Sequence, residues 1–289
     1  MVFKKYCMNA TLFDVANLTD QAYDTFIMAM LLCHSVEVTK KDSSKQVNNA
    51  AIDPSASENQ LSYVASSPEE KASLEVLKES GYEFLGFQLN GTISVCIKGK
   101  RMTYTRLAEL PFDSYRKCMT VIVKETHVDS SNVSNKEQKH ETIHVFTKGA
   151  DVVIIPACVT PTTEAKTILE KTQIIVNTYA SDGLRTLVYG YKQLTRHEFE
   201  IFTSQLEQAK ESMVNRTKFI RDAYKQIESN GLHLLGATAI EDKLQEQVAE
   251  TIDKLARAGI TTWMVTGDKK ETAVNLGYAS GKIRLIFIH

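Results

Sequence analysis

Thr266, Gly267 and Asp268 lie between an apolar run, residues 260–265, and Lys269-Lys270-Glu271-Thr272-Ala273-Val274, whose composition suits a helix. A hydroxyl, a glycine and a helix N-terminus at the end of a strand make an anion site. The glycine lets the backbone approach closely, and the unpaired N–H groups of the first helical turn point at the ligand. Thr266 can donate a hydrogen bond to a phosphoryl oxygen. Asp268 alone would repel phosphate, so a role for it needs magnesium or a hydroxyl donor beside it. Equally, with Glu271 three residues on, Asp268 has the spacing of a helix cap.

Further positions carry chemistry of the same kind. Phe112, followed by Asp113-Ser114-Tyr115-Arg116-Lys117, sets an aromatic ring beside two cations. The ring can stack an adenine while Arg116 or Lys117 approaches phosphate, although a phenylalanine at such a position is more often a core residue. Lys148 ends one strand-like run and Arg185 begins another, so both can reach a sheet edge. Spacing leaves open whether they converge, and a lysine after a strand is also an ordinary solvated turn. Other chemistries lack their residues. No P-loop is present. His34, His127, His140, His144, His197, His233 and His289 show no metal-ligand spacing, and Cys7, Cys33, Cys96, Cys118 and Cys158 contain no Cys-x-x-Cys pair.

The chain has 289 residues, 43% of them hydrophobic, enough for a sizeable core in one or two domains. A net charge of −1 argues against a nucleic-acid-binding surface. The scattered cysteines, odd in number, suit a reducing cytosolic setting. No apolar run reaches the roughly 18–20 residues of a membrane span, and Met1-Val2-Phe3-Lys4-Lys5-Tyr6 lacks the apolar core of a signal peptide, so the chain reads as soluble.

The elements that must position these residues follow from periodicity. Residues 1–12 read as a short strand and turn. Ala22, Phe26, Ile27, Met30 and Leu31 have helical spacing, predicting a helix over 20–34. The polar string 40–60 reads as a loop. Ser67-Pro68-Glu69-Glu70 is a capping signal for a helix running to Gly81. Residues 82–123 then alternate with period two and predict short strands in an antiparallel meander, with Asn90-Gly91 as a hairpin turn. A second polar loop spans 127–141, before a strand over 143–147. Helices are expected over about 163–180 and, as one long charged region, from Thr195 to about residue 229. Residues 184–191 form the strand between them. The nearly continuous apolar run 232–237 reads as a strand of a sheet buried on both faces. With a helix on Leu244, Val248, Ile252 and Leu255 and a strand over 260–265, it makes a βαβα unit. Its polar turn lies where open α/β sheets hold ligands.

Taken together, Ser66-Ser67-Pro68-Glu69-Glu70, Pro111-Phe112-Asp113-Ser114-Tyr115-Arg116-Lys117-Cys118-Met119-Thr120, Lys148-Gly149-Ala150-Asp151, Asp182-Gly183-Leu184-Arg185-Thr186-Leu187 and Gly236-Ala237-Thr238-Ala239-Ile240-Glu241-Asp242-Lys243-Leu244-Gln245 resemble the cytoplasmic part of P-type ATPases. The last motif, continuing to Thr266-Gly267-Asp268-Lys269, is similar to that of the P4 subfamily, the phospholipid flippases. The resemblance implies an α+β nucleotide-binding domain, an antiparallel sheet with flanking helices, over 13–230. This domain would be inserted in a partial α/β, HAD-like (Rossmann-like) phosphorylation domain formed by 1–12 and 231–289.

The same resemblance implies a nucleotide site of Glu70, Phe112, Ser114, Lys117, Lys148, Arg185, Thr266, Gly267 and Asp268. Phe112 would stack on adenine, Glu70 would lie near the adenine end, Lys148 would line the pocket and Arg185 would reach the phosphates. ATP is the implied ligand, with Mg2+ carried on it. Phospholipid and an accessory membrane subunit are the implied partners of the intact protein, at the cytosolic face of a membrane. The family's nucleophilic aspartate sits in Asp-Lys-Thr-Gly-Thr, which this sequence lacks, as it lacks Gly-Asp-Gly-x-Asn-Asp. Met1-Val2-Phe3-Lys4-Lys5 resembles the segment just past that nucleophile. The expectation is therefore a chain that binds nucleotide without forming a phosphoenzyme, or else a non-catalytic binding module. Pro111, Cys118 and Glu69 stand where the family usually has Glu, Arg and Asp, and Cys118 is expected to remove a cation from the pocket.

Overall fold

Alternating apolar residues between Tyr82 and Leu194 build most of one sheet, and the helices between its strands cover both faces. The computed structural model describes residues 20–40, 61–88, 91–126, 142–229, 231–241, 244–266 and 270–283. The strand expected within 1–12, the polar loops of 41–60 and 127–141, and Gly267 and Asp268 lie outside the described residues.

The elements in chain order are α1 (Asp20–Leu32), β1 (Glu37–Lys40), β2 (Leu61–Val64), α2 (Pro68–Glu79), β3 (Tyr82–Phe87), β4 (Thr92–Ile97), β5 (Lys100–Asp113), β6 (Cys118–Thr126), β7 (Ile143–Gly149), α3 (Asp151–Ala157), α4 (Thr163–Ser181), β8 (Arg185–Leu194), α5 (Arg196–Glu211), α6 (Arg216–Glu228), β9 (His233–Ile240), α7 (Val248–Arg257) and α8 (Lys270–Ala279). β3 to β9 form one seven-stranded antiparallel sheet in sequence order, and β1 and β2 pair separately. Strands that meet their sequence neighbours need only local turns or helical excursions, so the topology follows directly from the order of the chain.

The sheet curls around α1. Phe26, Leu31 and Cys33 pack with Phe84 of β3 at one edge and Leu235 of β9 at the other. Each fully buried leucine of this kind contributes about 1.5–3 kcal/mol. Met119, Val121, Phe146 and Tyr189 face the same core. The opposite face carries two separate apolar clusters. One joins Ile122, Ile143, Val145 and Leu194 to α5 and α6. The other joins Cys118, Val188 and Ala237 to α3 and α4.

β9 corrects one expectation. It is antiparallel to β8, with Arg185 opposite Ile240 and Val188 opposite Ala237. Its apolar run reflects cover on both faces, Leu235 toward α1 and Ala237 toward the α3–α4 cluster, and such cover does not require a parallel neighbour. The strand expected over 260–265 is not formed. Residues 261–266 run without ladder partners, and Ile260, Trp263 and Val265 are exposed. Leu244 lies before α7 and not in it. The long helix expected from Thr195 is broken into α5 and α6 at Asn215, whose φ of 58° is left-handed. Thr195 caps α5 as a capping box with Glu198, and Ser67 caps α2.

Candidate functional site

The helix-start signal at Ser67 has a consequence beyond α2 itself. Pro68 occupies the first turn without needing a donor, and Glu69 and Glu70 sit where the positive end of the helix favours carboxylates. The Ser67 hydroxyl accepts the Glu70 N–H at 3.3 Å. Fixed in this way, the two glutamates reach two different strands. Glu70 Oε1 meets Lys148 Nζ of β7 at 2.6 Å. Glu69 Oε1 meets Arg185 Nη1 at the start of β8 at 2.5 Å. The other Glu70 oxygen accepts the Ser35 N–H at 3.0 Å and the Ser35 hydroxyl at 2.8 Å. The cations that spacing left unconnected are thus brought to one helix N-terminus.

Burial alone would push the Glu70 carboxyl up. The Lys148 charge and the hydrogen bonds from Lys148 and Ser35 outweigh it and hold the group below its ordinary value. Glu69 follows the same pattern: its burial is outweighed by its own N–H, by Arg185 and by Ser67. His34, just after α1, is the neutral neighbour. The Val36 N–H donates to its Nδ1 at 3.1 Å, so Nε2 carries the proton and donates to the Leu31 carbonyl at 2.8 Å. Burial, then the Lys148 charge, lower its pKa to about 3.

Lys148 is a register partner of Met119 on one side and Tyr189 on the other, on the face toward α1. It is buried, not a solvated turn. At the same end of the sheet, β5 and β6 close through Asp113 opposite Cys118, with Cys118 opposite Gly149. Phe112 therefore lies about 10 Å from the Lys148 backbone, two strand spacings away. Its ring is 65% exposed, so the core reading of Phe112 is set aside. Ser114 and Lys117 are exposed on the same turn, and Lys117 takes a left-handed φ of 54°. An exposed aromatic ring, a free-facing lysine and two cations held by carboxylates thus share one sheet end.

Two expectations change. Arg116 is not available to phosphate: it is buried on the face opposite Lys148, ion-paired with Glu228 and 4.8 Å over the Tyr224 ring. Cys118 is buried in the α3–α4 cluster, so its side chain leaves the pocket side of the sheet unchanged. Thr266 is exposed, in the segment that forms no strand. Sequence reading missed Ser35, Glu69 and Glu228. Two consecutive glutamates at a capped helix start were a usable signal for Glu69, whereas nothing local marks Glu228.

Residues 22–247 match the family of P-type ATPase cytoplasmic N domains. Human phospholipid-transporting ATPase IG is 36% identical over 257 residues, covering 89% of this chain and 20% of the relative. Mouse phospholipid-transporting ATPase ID is 36% identical over 271 residues, 94% of this chain and 20% of the relative. The Xenopus tropicalis ATPase IC is 37% identical over 254 residues, 88% and 18% respectively. The chain spans about one fifth of the length of these curated relatives. With an antiparallel sheet, flanking helices and a family match over residues 22–247, the chain belongs to the P-type ATPases, in their cytoplasmic N-domain family.

Proposed function

We propose that this chain is the ATP-binding portion of a phospholipid-transporting ATPase working at the cytosolic face of a membrane. The observation that carries the reading is the exposed Phe112 ring at the sheet end that also presents Lys148 and Arg185. Phe112 stacks the adenine, with Glu70 and Lys148 lining the pocket toward it. Arg185 reaches the phosphates, and Ser114 and Lys117 flank the entrance on the turn. Thr266, Gly267 and Asp268 belong to the part that handles the transferred phosphoryl group.

Among the described residues no cluster of His, Cys, Asp or Glu is built to hold a metal ion. Glu69 and Glu70 are each engaged by a cation. Magnesium carried on the nucleotide neutralises phosphate charge there. The sequence has no Asp-Lys-Thr-Gly-Thr, so these residues bind and orient ATP without accepting its phosphoryl group. Coupling to phospholipid movement, and any accessory subunit, belong to the whole protein.

Calorimetric titration with ATP tests the reading. Phe112→Ala should weaken binding about fivefold or more, since stacking a base is worth about 1–3 kcal/mol. Little change in thermal stability is expected, because the ring is exposed. Wild-type protein that binds no ATP, or full affinity after Phe112→Ala, would sink the assignment and leave a non-catalytic interaction module.

A further inference from the structure

The turn that carries Phe112 is fastened to α6 from both sides of the sheet end. Beneath it, the Arg116 guanidinium donates to the Pro111 carbonyl and to Glu228 Oε1, and lies 4.8 Å from the Tyr224 ring. Pro111 C=O belongs to the peptide that enters Phe112, so this bond fixes the backbone from which the ring projects. Glu228 Oε1 also accepts the Thr120 hydroxyl at 2.8 Å, and Thr120 and Thr147 hydroxyls are 3.0 Å apart. Outside it, Arg221 Nε meets Asp113 Oδ2 at 2.9 Å while its guanidinium lies 4.8 Å from the Tyr115 ring. Asp113 Oδ1 accepts the Tyr115 N–H at 2.7 Å, and the Asp113 carbonyl accepts the Lys117 N–H at 2.6 Å. The Lys117 carbonyl then takes the Ala150 N–H at 3.0 Å, joining the turn to β7 beside Lys148.

A buried ion pair adds little net stability over an apolar pair of the same shape, but it enforces one geometry. A planar guanidinium can serve a carbonyl, a carboxylate and a ring face at once, which a lysine cannot. We propose that α6 is a brace for base recognition: Arg116 with Glu228, and Arg221 with Asp113, are positioning residues that hold the β5–β6 turn so that Phe112 presents its ring to a purine. The inference rests on the nucleotide reading above. It assigns the brace residues no contact with the nucleotide, and their effect on the purine passes through Phe112.

The test uses the 289-residue chain, with ATP and inorganic tripolyphosphate as calorimetric probes and amide exchange of residues 111–118 by mass spectrometry. Arg221→Gln, at a partly exposed position, tests the outer pair. Arg116→Lys keeps the buried charge but cannot hold Pro111 and Glu228 together. Each variant should weaken ATP about three- to tenfold, within the range of coupling between contacting side chains. Each should speed exchange at Tyr115 and Lys117 and leave tripolyphosphate binding unchanged. In a Phe112→Ala background the further loss should be under about twofold. Equal loss for tripolyphosphate, full additivity with Phe112→Ala, or unchanged ATP affinity despite faster exchange would each overturn the brace while the nucleotide site stands. Wild-type chain that binds no ATP overturns the nucleotide reading and the proposal with it.

Discussion

Lys148 Nζ lies 2.6 Å from Glu70 Oε1 with both side chains only 8% exposed, so the lysine proposed to line the nucleotide pocket is also one half of a structural ion pair. On the proposed function, ligand binding and folding share this pair, and changes at it should register in both.

Lys148→Met should therefore cost stability first. It leaves the Glu70 carboxylate buried with only the Ser35 donors, and breaking a buried pair from one side costs about 3–5 kcal/mol. Glu70→Gln combined with Lys148→Met removes both charges and should recover most of that loss. Urea unfolding of the single and double variants checks the expectation. Additive losses in the double variant would count against it.

Acid should weaken the fold in two steps. His34 is held at about 3 against an ordinary 6.5, so as pH falls below about 6.5 the unfolded chain takes up a proton that the folded chain refuses. Its contribution is intact above 6.5 and is lost progressively down to about 3. Glu70 is also depressed, from an ordinary 4.5, and adds to the loss below that value. One proton corresponds to a slope of about 1.4 kcal/mol per pH unit. His34→Gln should remove about one proton of slope between pH 6 and 5 in unfolding free energy measured against pH. An unaltered slope there would refute the role given to His34.

Glu69 holds Arg185 in an ion pair, which on the proposed function competes with phosphate. Glu69→Gln should weaken the hold on the guanidinium and remove a nearby negative charge. ATP binding should tighten roughly two- to fivefold, the scale of a partly exposed ion pair. Adenosine, without phosphates, should bind as before. Paired titrations with the two ligands measure the difference, and weaker ATP binding would instead make Glu69 a necessary anchor for Arg185.

Gly149 has no room for a side chain. A Cβ there would stand 2.4 Å from the Lys117 carbonyl oxygen and 2.7 Å from Cys118 Cβ, both fixed parts of the sheet. Gly149→Ala should cost about 1–3 kcal/mol through overpacking and push the β6 end away from Lys148. Thermal unfolding together with ATP titration should show both effects. A fully stable variant would mean that the sheet end yields easily.

The sequence announces much of this architecture through local rules. Ser67-Pro68 starts α2 where capping chemistry requires, and period-two alternation marks β3, β4, β6 and β8. The β1–β2 pair was not legible, because its strands are four residues each and flank a polar string. α3 was missed because it is one short helix with Pro156 inside it. β9 was read as a strand but given the wrong neighbour, since an apolar run reports cover on both faces and not strand direction. For the proposed site, residue type marks Phe112, Lys148 and Arg185 as candidates, and the family resemblance brings them together. The pairing of Lys148 with Glu70, 78 residues apart, is a property of the sheet and no local pattern encodes it. Arg116 and Lys117 look alike in the sequence, yet the left-handed backbone at Lys117 leaves one cation buried and its neighbour exposed.

The hydroxyls of Thr120 and Thr147, with Glu228 and Arg116 against them, form a polar seam across the sheet face between the α3–α4 cluster and the α5–α6 cluster. Apolar cohesion is weak across such a seam, so the two helical pairs are expected to open as separate units on one scaffold. The pair α5–α6 can loosen while α3–α4 and the strands beneath stay closed. Two distinct opening free energies should then appear among the helical amides of that face, and a single shared value would show that the seam transmits cooperativity after all.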